Sequence, residues 1–241
     1  TDNATHGAGV GNALGNHITG GTGTDDLFGR EGNDILRGGT GNANTMLGQE
    51  GDDLYISDAA GDSILEFADQ GMDTVRTATS VFTLSNNVEV LEYVGAATFT
   101  GIGNSGNNTL RGGAGGDFLS GLGGNDLIYG GHGADTLLGG AGNDQFRYDG
   151  GETGIDTISG FVAGEDQIAM RDAFFGGVTA YQFVQGSGAL SATTTALTFF
   201  YHQDTGLIGY DRDGTGGAFA EISLASIGAG QVLTAGNFLF F

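Results

Sequence analysis

A nine-residue sentence recurs along this chain: glycine, usually a second glycine or a polar residue, any residue, glycine, any residue, aspartate or asparagine, any residue, a large apolar residue, any residue. The cleanest copies run end to end as Gly112–Ser120 (GGAGGDFLS), Gly121–Tyr129 (GLGGNDLIY), Gly130–Leu138 (GGHGADTLL) and Gly139–Arg147 (GGAGNDQFR). An earlier set holds Gly20–Phe28, Gly29–Arg37 and Gly48–Ile56. So short a period leaves room for one turn and one strand per copy, and such units are stable only when they stack. The glycines permit a tight turn. The acidic position puts a hard oxygen ligand in every turn, and the lone apolar residue points inward from a very short strand. The pattern predicts an all-β protein, a parallel β-roll loaded with calcium.

Two copies complete one coil, so turns on one edge belong to every second copy. In the later array this stacks Asn108, Asp126 and Asp144 on one edge and Asp117, Asp135 and Asp156 on the other. In the earlier array the stacks are Asn16, Asp34 and Asp53, and Asp25 with Asn44. Neighbouring coils lie about 4.8 Å apart, the strand spacing. Carboxylates from two adjacent turns, with turn carbonyls between them, can therefore enclose an ion with about six oxygens. All-oxygen coordination from flexible loops suits Ca²⁺, whereas Mg²⁺ asks for a tighter octahedron with more water. The candidate metal set is Asp25, Asp34, Asp53, Asp73, Asp117, Asp126, Asp135, Asp144 and Asp156, with the turn-opening glycines Gly112, Gly121, Gly130 and Gly139. Asn16, Asn44 and Asn108 break the acidic pattern and predict weaker or empty sites. The competing reading, solvated turns in a glycine-rich linker, does not account for the regular repetition.

Composition supports a need for ions. Of 241 residues, 50 are glycine, and 29 acidic residues face seven basic ones for a formal charge of −22. Each coil buries few apolar side chains while ordering many glycines, the residues with most conformational freedom to lose. Such a chain without cations repels itself, so the arrays are expected to be largely disordered without calcium and cooperative with it. A surface this acidic argues against nucleic acid, which needs a basic one. Cysteine is absent, so thiolate metal sites and disulfides are excluded and the compartment cannot be read from them. No apolar run is long enough for a transmembrane helix. Residue 1 follows neither a Met nor a signal sequence and reads as a processing boundary, with more protein expected upstream.

Along the chain, residues 1–10 are expected to be loosely ordered, 11–56 form the first array and 57–102 form irregular, wider coils. Residues 103–159 form the second array and 160–241 a capping region. Within 57–102, strand-like pieces fall at Ser63–Phe67, Thr74–Ala78, Val81–Leu84 and Val88–Val94. Asp62 and Asp73 stand there in echoes of the repeat, as ligands or as plain turn residues. The aromatic-rich remainder predicts mostly antiparallel strands, with a short helical turn within Met170–Phe175, covering the open end that a stack of coils must have.

The repeat resembles the RTX, or hemolysin-type calcium-binding, repeats of bacterial secreted proteins. Asp156–Phe161 followed by Ala163–Ile168 resembles the segment that follows the roll in serralysin-type proteases, and Tyr210–Gly216 and Leu233–Phe241 resemble the C-terminal ends of such proteins. The resemblance implies a C-terminal signal read by type I secretion machinery. It implies a chain exported unfolded from a calcium-poor cytosol and folded by calcium outside, so the expected location is extracellular or at the cell surface.

Catalysis finds little support. The four histidines are scattered, no HExxH occurs, and Ser187 lacks the context of a hydrolase elbow. Paired carboxylates abound, as a glycosidase needs, but calcium already accounts for them. Asp211-x-Asp213-Gly214 begins like an EF-hand loop, yet lacks its later Glu and flanking helices and reads better as a hairpin turn. The expectation is a non-enzymatic, secreted structural or surface component, with self-assembly through calcium-dependent contacts as one possible mode of action. The alternative is the calcium-binding and export module of a larger secreted enzyme of protease, lipase or alginate epimerase type. A carbohydrate-binding module ranks lower, because the arrays supply few aromatic or basic residues.

Overall fold

The computed structural model describes residues 6–41, 43–175, 181–190, 197–211 and 221–241. Each repeat turns the backbone once and yields a strand of a few residues before the next glycines redirect it, so consecutive strands fall on opposite faces of a roll. One face is a ten-stranded sheet: His17–Thr19, Ile35–Arg37, Leu54–Ser57, Thr74–Thr77, Val90–Tyr93, Thr109–Arg111, Leu127–Tyr129, Gln145–Tyr148, Gln167–Met170 and Phe238–Phe240. Every neighbouring pair in it is parallel. The opposite face comprises two sheets. Four strands, His6–Val10, Thr24–Glu31, Thr45–Glu50 and Ser63–Leu65, make the first. Nine make the second, beginning with Val81–Thr83, Thr100–Ile102, Phe118–Gly123, Thr136–Ala141 and Asp156–Ser159.

The repeat's apolar slot builds the core by register. On the ten-stranded face Ile18, Leu36, Tyr55, Val75, Leu91, Leu110, Ile128, Phe146, Ile168 and Phe238 stand in line. Opposite them run Leu27, Met46 and Ile64, then Phe82, Gly101, Leu119, Leu137 and Ile158. Gly101 brings no side chain to its slot. Phe99, fully buried, takes the space: a Cβ on Gly101 would lie 2.6 Å from Phe99 and 2.9 Å from Leu119. Phe99 stacks on Tyr93 with ring centroids 4.4 Å apart.

One feature differs from expectation and a second adds detail to it. Within residues 1–10, His6–Val10 is a strand pairing with Thr24–Phe28. Gly9 makes this possible, since a Cβ there would meet Ile18 at 2.5 Å. The C-terminal cap is a mixed sheet in which antiparallel pairs stand beside parallel ones. Thr198–His202, Leu207–Asp211 and Ile222–Ser226 pair antiparallel in succession, whereas Gln182–Gly186 joins Thr198–His202 in parallel. The cap also continues both faces of the roll in parallel, through Ile222–Ser226 on Asp156–Ser159 and Phe238–Phe240 on Gln167–Met170. Parallel addition lets Phe238 extend the core row, where Phe183 and Phe199 pack against it. The short helical turn is 3-10, at Asp172–Phe175. Asp213 and the neighbouring residues 212–220, for which the hairpin turn is expected, lie outside the described residues. No helix among the described residues is long and apolar enough to cross a membrane.

Candidate metal centres

The acidic slot of each repeat sits at the end of its turn, just before the strand, and the stacking superposes these slots along both edges of the roll. On one edge the backbone N–H of Asn16 donates to Asp34 Oδ1 at 2.6 Å, that of Asp34 to Asp53 Oδ1 at 2.7 Å and that of Asp53 to Asp73 Oδ1 at 2.9 Å. The same edge resumes in the second array, where Asn108 N–H donates to Asp126 Oδ1 and Asp126 N–H to Asp144 Oδ1, at 2.7 and 2.9 Å. On the other edge Asp117 N–H donates to Asp135 Oδ1 at 2.8 Å and Asp135 N–H to Asp156 Oδ1 at 3.0 Å. Asp25 N–H there donates to Asn44 Oδ1 at 2.9 Å. One oxygen of each stacked carboxylate thus ties its turn to the coil before it.

The second oxygen is the chemically informative one. Asp34, Asp53, Asp126, Asp135 and Asp144 each bury Oδ2 without any hydrogen-bond partner. Buried polar atoms are rarely left unpaired, because the desolvation cost is not recovered. The turn-opening glycines make room for these atoms. A Cβ on Gly121, Gly130 or Gly139 would collide with Oδ2 of Asp126, Asp135 or Asp144 respectively, and one on Gly112 would lie 2.5 Å from Asp117 Oδ2. Gly112, Gly121, Gly130 and Gly139 therefore open space at the carboxylates.

Burial also raises the proton affinity of these groups. Desolvation pushes Asp53 and Asp135 up to about 7 and Asp73, Asp126 and Asp156 to about 6, and it raises Asp34, Asp117 and Asp144 above the ordinary carboxylate value. Stacked neighbours add repulsion, Asp73 and Asp34 acting on Asp53 and Asp144 on Asp126. Anionic oxygens that are buried, unpaired and mutually repelling fit a hard cation. The donors are all oxygen, which matches Ca²⁺ and not a thiolate- or imidazole-seeking metal.

The asparagines satisfy themselves differently. Asn44 Nδ2 donates to Asp62 Oδ1 at 2.9 Å and Asn108 Nδ2 to the Val88 carbonyl at 3.1 Å. An amide N–H occupies the place where a second carboxylate oxygen would face an ion. Asp156 is partnered too, since Tyr148 donates its hydroxyl to Asp156 Oδ2 at 2.8 Å.

Four acidic residues extend the stacks beyond the candidate set. Asp62 accepts from Asn44 N–H, Glu89 from Asp73 N–H and Asp166 from Asp144 N–H, at 3.0, 2.8 and 3.0 Å. Glu66, 8% exposed, has carboxylate oxygens within 4.8 Å of those of Asp53 and Asp73. Asp62 sits in a weak echo of the repeat, and Ala163-Gly164-Glu165-Asp166 keeps its glycine–acid spacing, so both leave a trace in sequence. Glu89 keeps the repeat's acid-to-apolar spacing, two residues before Leu91, without its glycines, whereas Glu66 leaves no trace because it lies off the period.

Comparison with known proteins agrees with this geometry. The RTX calcium-binding nonapeptide repeat family matches in four copies, over residues 10–42, 102–137 and 111–146. The endo-1,3-1,4-beta-glycanase ExsH of Rhizobium meliloti (strain 1021) is 37% identical over 89 residues, 37% of this chain and 19% of its own length. The endo-1,3-1,4-beta-glycanase EglC of the same strain is 36% identical over 87 residues, 36% of this chain and 18% of its own. The match thus spans about a fifth of the length of these relatives.

Proposed function

This chain carries RTX calcium-binding nonapeptide repeats, and from that premise we propose that it is a non-catalytic, calcium-folded module of an exported protein. The row of buried carboxylate oxygens without hydrogen-bond partners carries the reading. In a calcium-poor cytosol the acidic coils repel and remain open, which suits passage through type I secretion machinery; outside the cell, calcium bridges successive turns and the roll closes. Two relatives named as glycanases match this chain over about a fifth of their own length, which supports attachment to a secreted enzyme that acts on polysaccharide.

Far-UV circular dichroism during a calcium titration tests this function. The chelated chain is expected to lack the strand signal and to gain it steeply with calcium. Asp126→Ala and Asp135→Ala each remove an ion ligand and orphan a backbone N–H, at Asn108 and Asp117 respectively. An unsatisfied buried donor costs about 1–3 kcal/mol, so both variants should need more calcium and respond less steeply. A chain equally compact and protease-resistant in chelator defeats the proposal.

Self-assembly is a second reading, favoured by the first coil. Among the described residues nothing pairs with the outer edges of His6–Val10 and His17–Thr19, and Val10 and Leu14 are exposed beside them. Open strand edges template pairing with another chain. A sedimentation coefficient that stays monomeric at every calcium level removes this reading and leaves the first intact.

A further inference from the structure

Glu66 stands where the repeat has its opening glycine. Leu47 pairs with Leu65 in the parallel ladder, so the next residues in register are Gly48 and Glu66. At Gly48 the missing side chain makes room for Asp53, since a Cβ there would collide with Asp53 Oδ2. One coil on, a full carboxylate enters that same region. Glu66 Oε1 accepts from the Tyr55 hydroxyl and from the Gly48 and Gln49 N–H groups, the latter two at 3.1 and 3.3 Å. These bonds aim the carboxyl group inward and leave Glu66 Oε2 buried without a partner, as Asp53 Oδ2 is. Gln70, in the turn from Glu66 to Asp73, likewise buries its side-chain oxygen with no donor.

Oxygens of Asp53, Glu66 and Asp73 all lie within 4.8 Å of one another, about the diameter of a shell of oxygens held 2.3–2.6 Å from a calcium ion. Glu66 is 8% exposed, Asp53 2% and Asp73 1%. Among the described residues none of the three takes part in an ion pair; the arginine pairs are Arg37 with Asp58, Arg76 with Glu92 and Arg147 with Asp149. We propose that Asp53, Glu66 and Asp73 form a three-carboxylate calcium site, distinct in composition from the nonapeptide sites, at the junction of the first array with the irregular coils. Glu66 supplies the third charged ligand, and Tyr55 is its positioning residue. The site rests on the calcium-folded reading given above, and it lies at the junction where the regular two-copy spacing ends.

Native mass spectrometry of the full chain in calcium counts the ions. Glu66→Gln is expected to hold one calcium fewer than the wild type while keeping the calcium-induced strand signal; Glu66→Gly, which restores the repeat's own residue, should do the same and decides the matter if the glutamine variant does not fold. Terbium, a calcium surrogate excited through nearby tyrosine, gives a second readout. Tyr55→Phe should lower that emission, and adding it to Glu66→Gln should lower it no further. Equal ion counts in the wild type and the folded Glu66 variants overturn the site, as does terbium emission unaltered by Tyr55→Phe if neither Glu66 variant folds. A wild type without any calcium-induced transition defeats the calcium reading itself. A wild type that folds on calcium, with Glu66 variants of equal ion count, defeats this site alone.

Discussion

At Gly121 and Gly123 two glycines of the same repeat do different work. A Cβ on Gly121 meets Asp126 Oδ2, whereas one on Gly123 faces the Ala141 carbonyl oxygen at 3.9 Å, ordinary van der Waals contact. Gly121→Ala must push the carboxylate out of line, and overpacking of this kind costs about 1–3 kcal/mol. It should raise the calcium concentration at the folding midpoint, while Gly123→Ala leaves it within experimental error or lowers it slightly by stiffening the unfolded chain. Calcium titration of both variants by circular dichroism checks the contrast; equal shifts would mean that chain entropy, not space at the carboxylate, sets the glycine requirement. The aspartate slots and the inward Leu, Ile and Phe positions were legible in sequence because each repeat states them locally. Glu66 was not, because a lone glutamate in an aperiodic stretch acquires meaning only when the ladder sets it beside Gly48, Asp53 and Asp73.

Strand by strand, the repeated coils behave alike and the irregular ones improvise. Within 57–102 the sequence showed β-branched and aromatic stretches, and strands form at Ser63–Leu65, Thr74–Thr77, Val81–Thr83 and Val90–Tyr93. It did not show that the face opposite the long sheet breaks there, between Ser63–Leu65 and Val81–Thr83. Nor did it show that Phe99 reaches in from outside a strand to fill the slot that Gly101 leaves open. Phe99→Ala should therefore empty a fully buried volume between the two arrays. Loss of a buried Phe side chain costs about 3–5 kcal/mol, read as a lower melting temperature in saturating calcium. The partly exposed Phe82, next to Gly101 in the same sheet, should cost less on truncation, and equal losses would contradict the packing described.

Taken whole, the molecule is a stack of anionic turns whose folding should respond to protons as well as calcium. The buried aspartates hold protons more tightly when folded, at about 6 to 7 for Asp53, Asp73, Asp126, Asp135 and Asp156 against an ordinary 3.8. A raised folded-state value means that protonation favours the fold: the contribution is complete below about pH 4 and is lost as pH rises through 6 to 7. In chelator, the strand signal should thus be stronger near pH 4.5 than at pH 8. With calcium, the folding midpoint should move to higher calcium between pH 8 and pH 5.5, because protons and ions compete for the same oxygens. A pH-independent midpoint would remove the buried carboxylates from the binding sites. The sequence by itself determined the roll, its two edges and its calcium chemistry, since a nine-residue period converts directly into residues stacked one coil apart. Only the tertiary structure decided what happens where the period fails: Glu66 in a glycine's place, Phe99 in the core, and a mixed cap that lengthens both faces. Those outcomes depend on which strands pair and in what register, and outside a repeat that is settled by contacts between residues far apart in the chain.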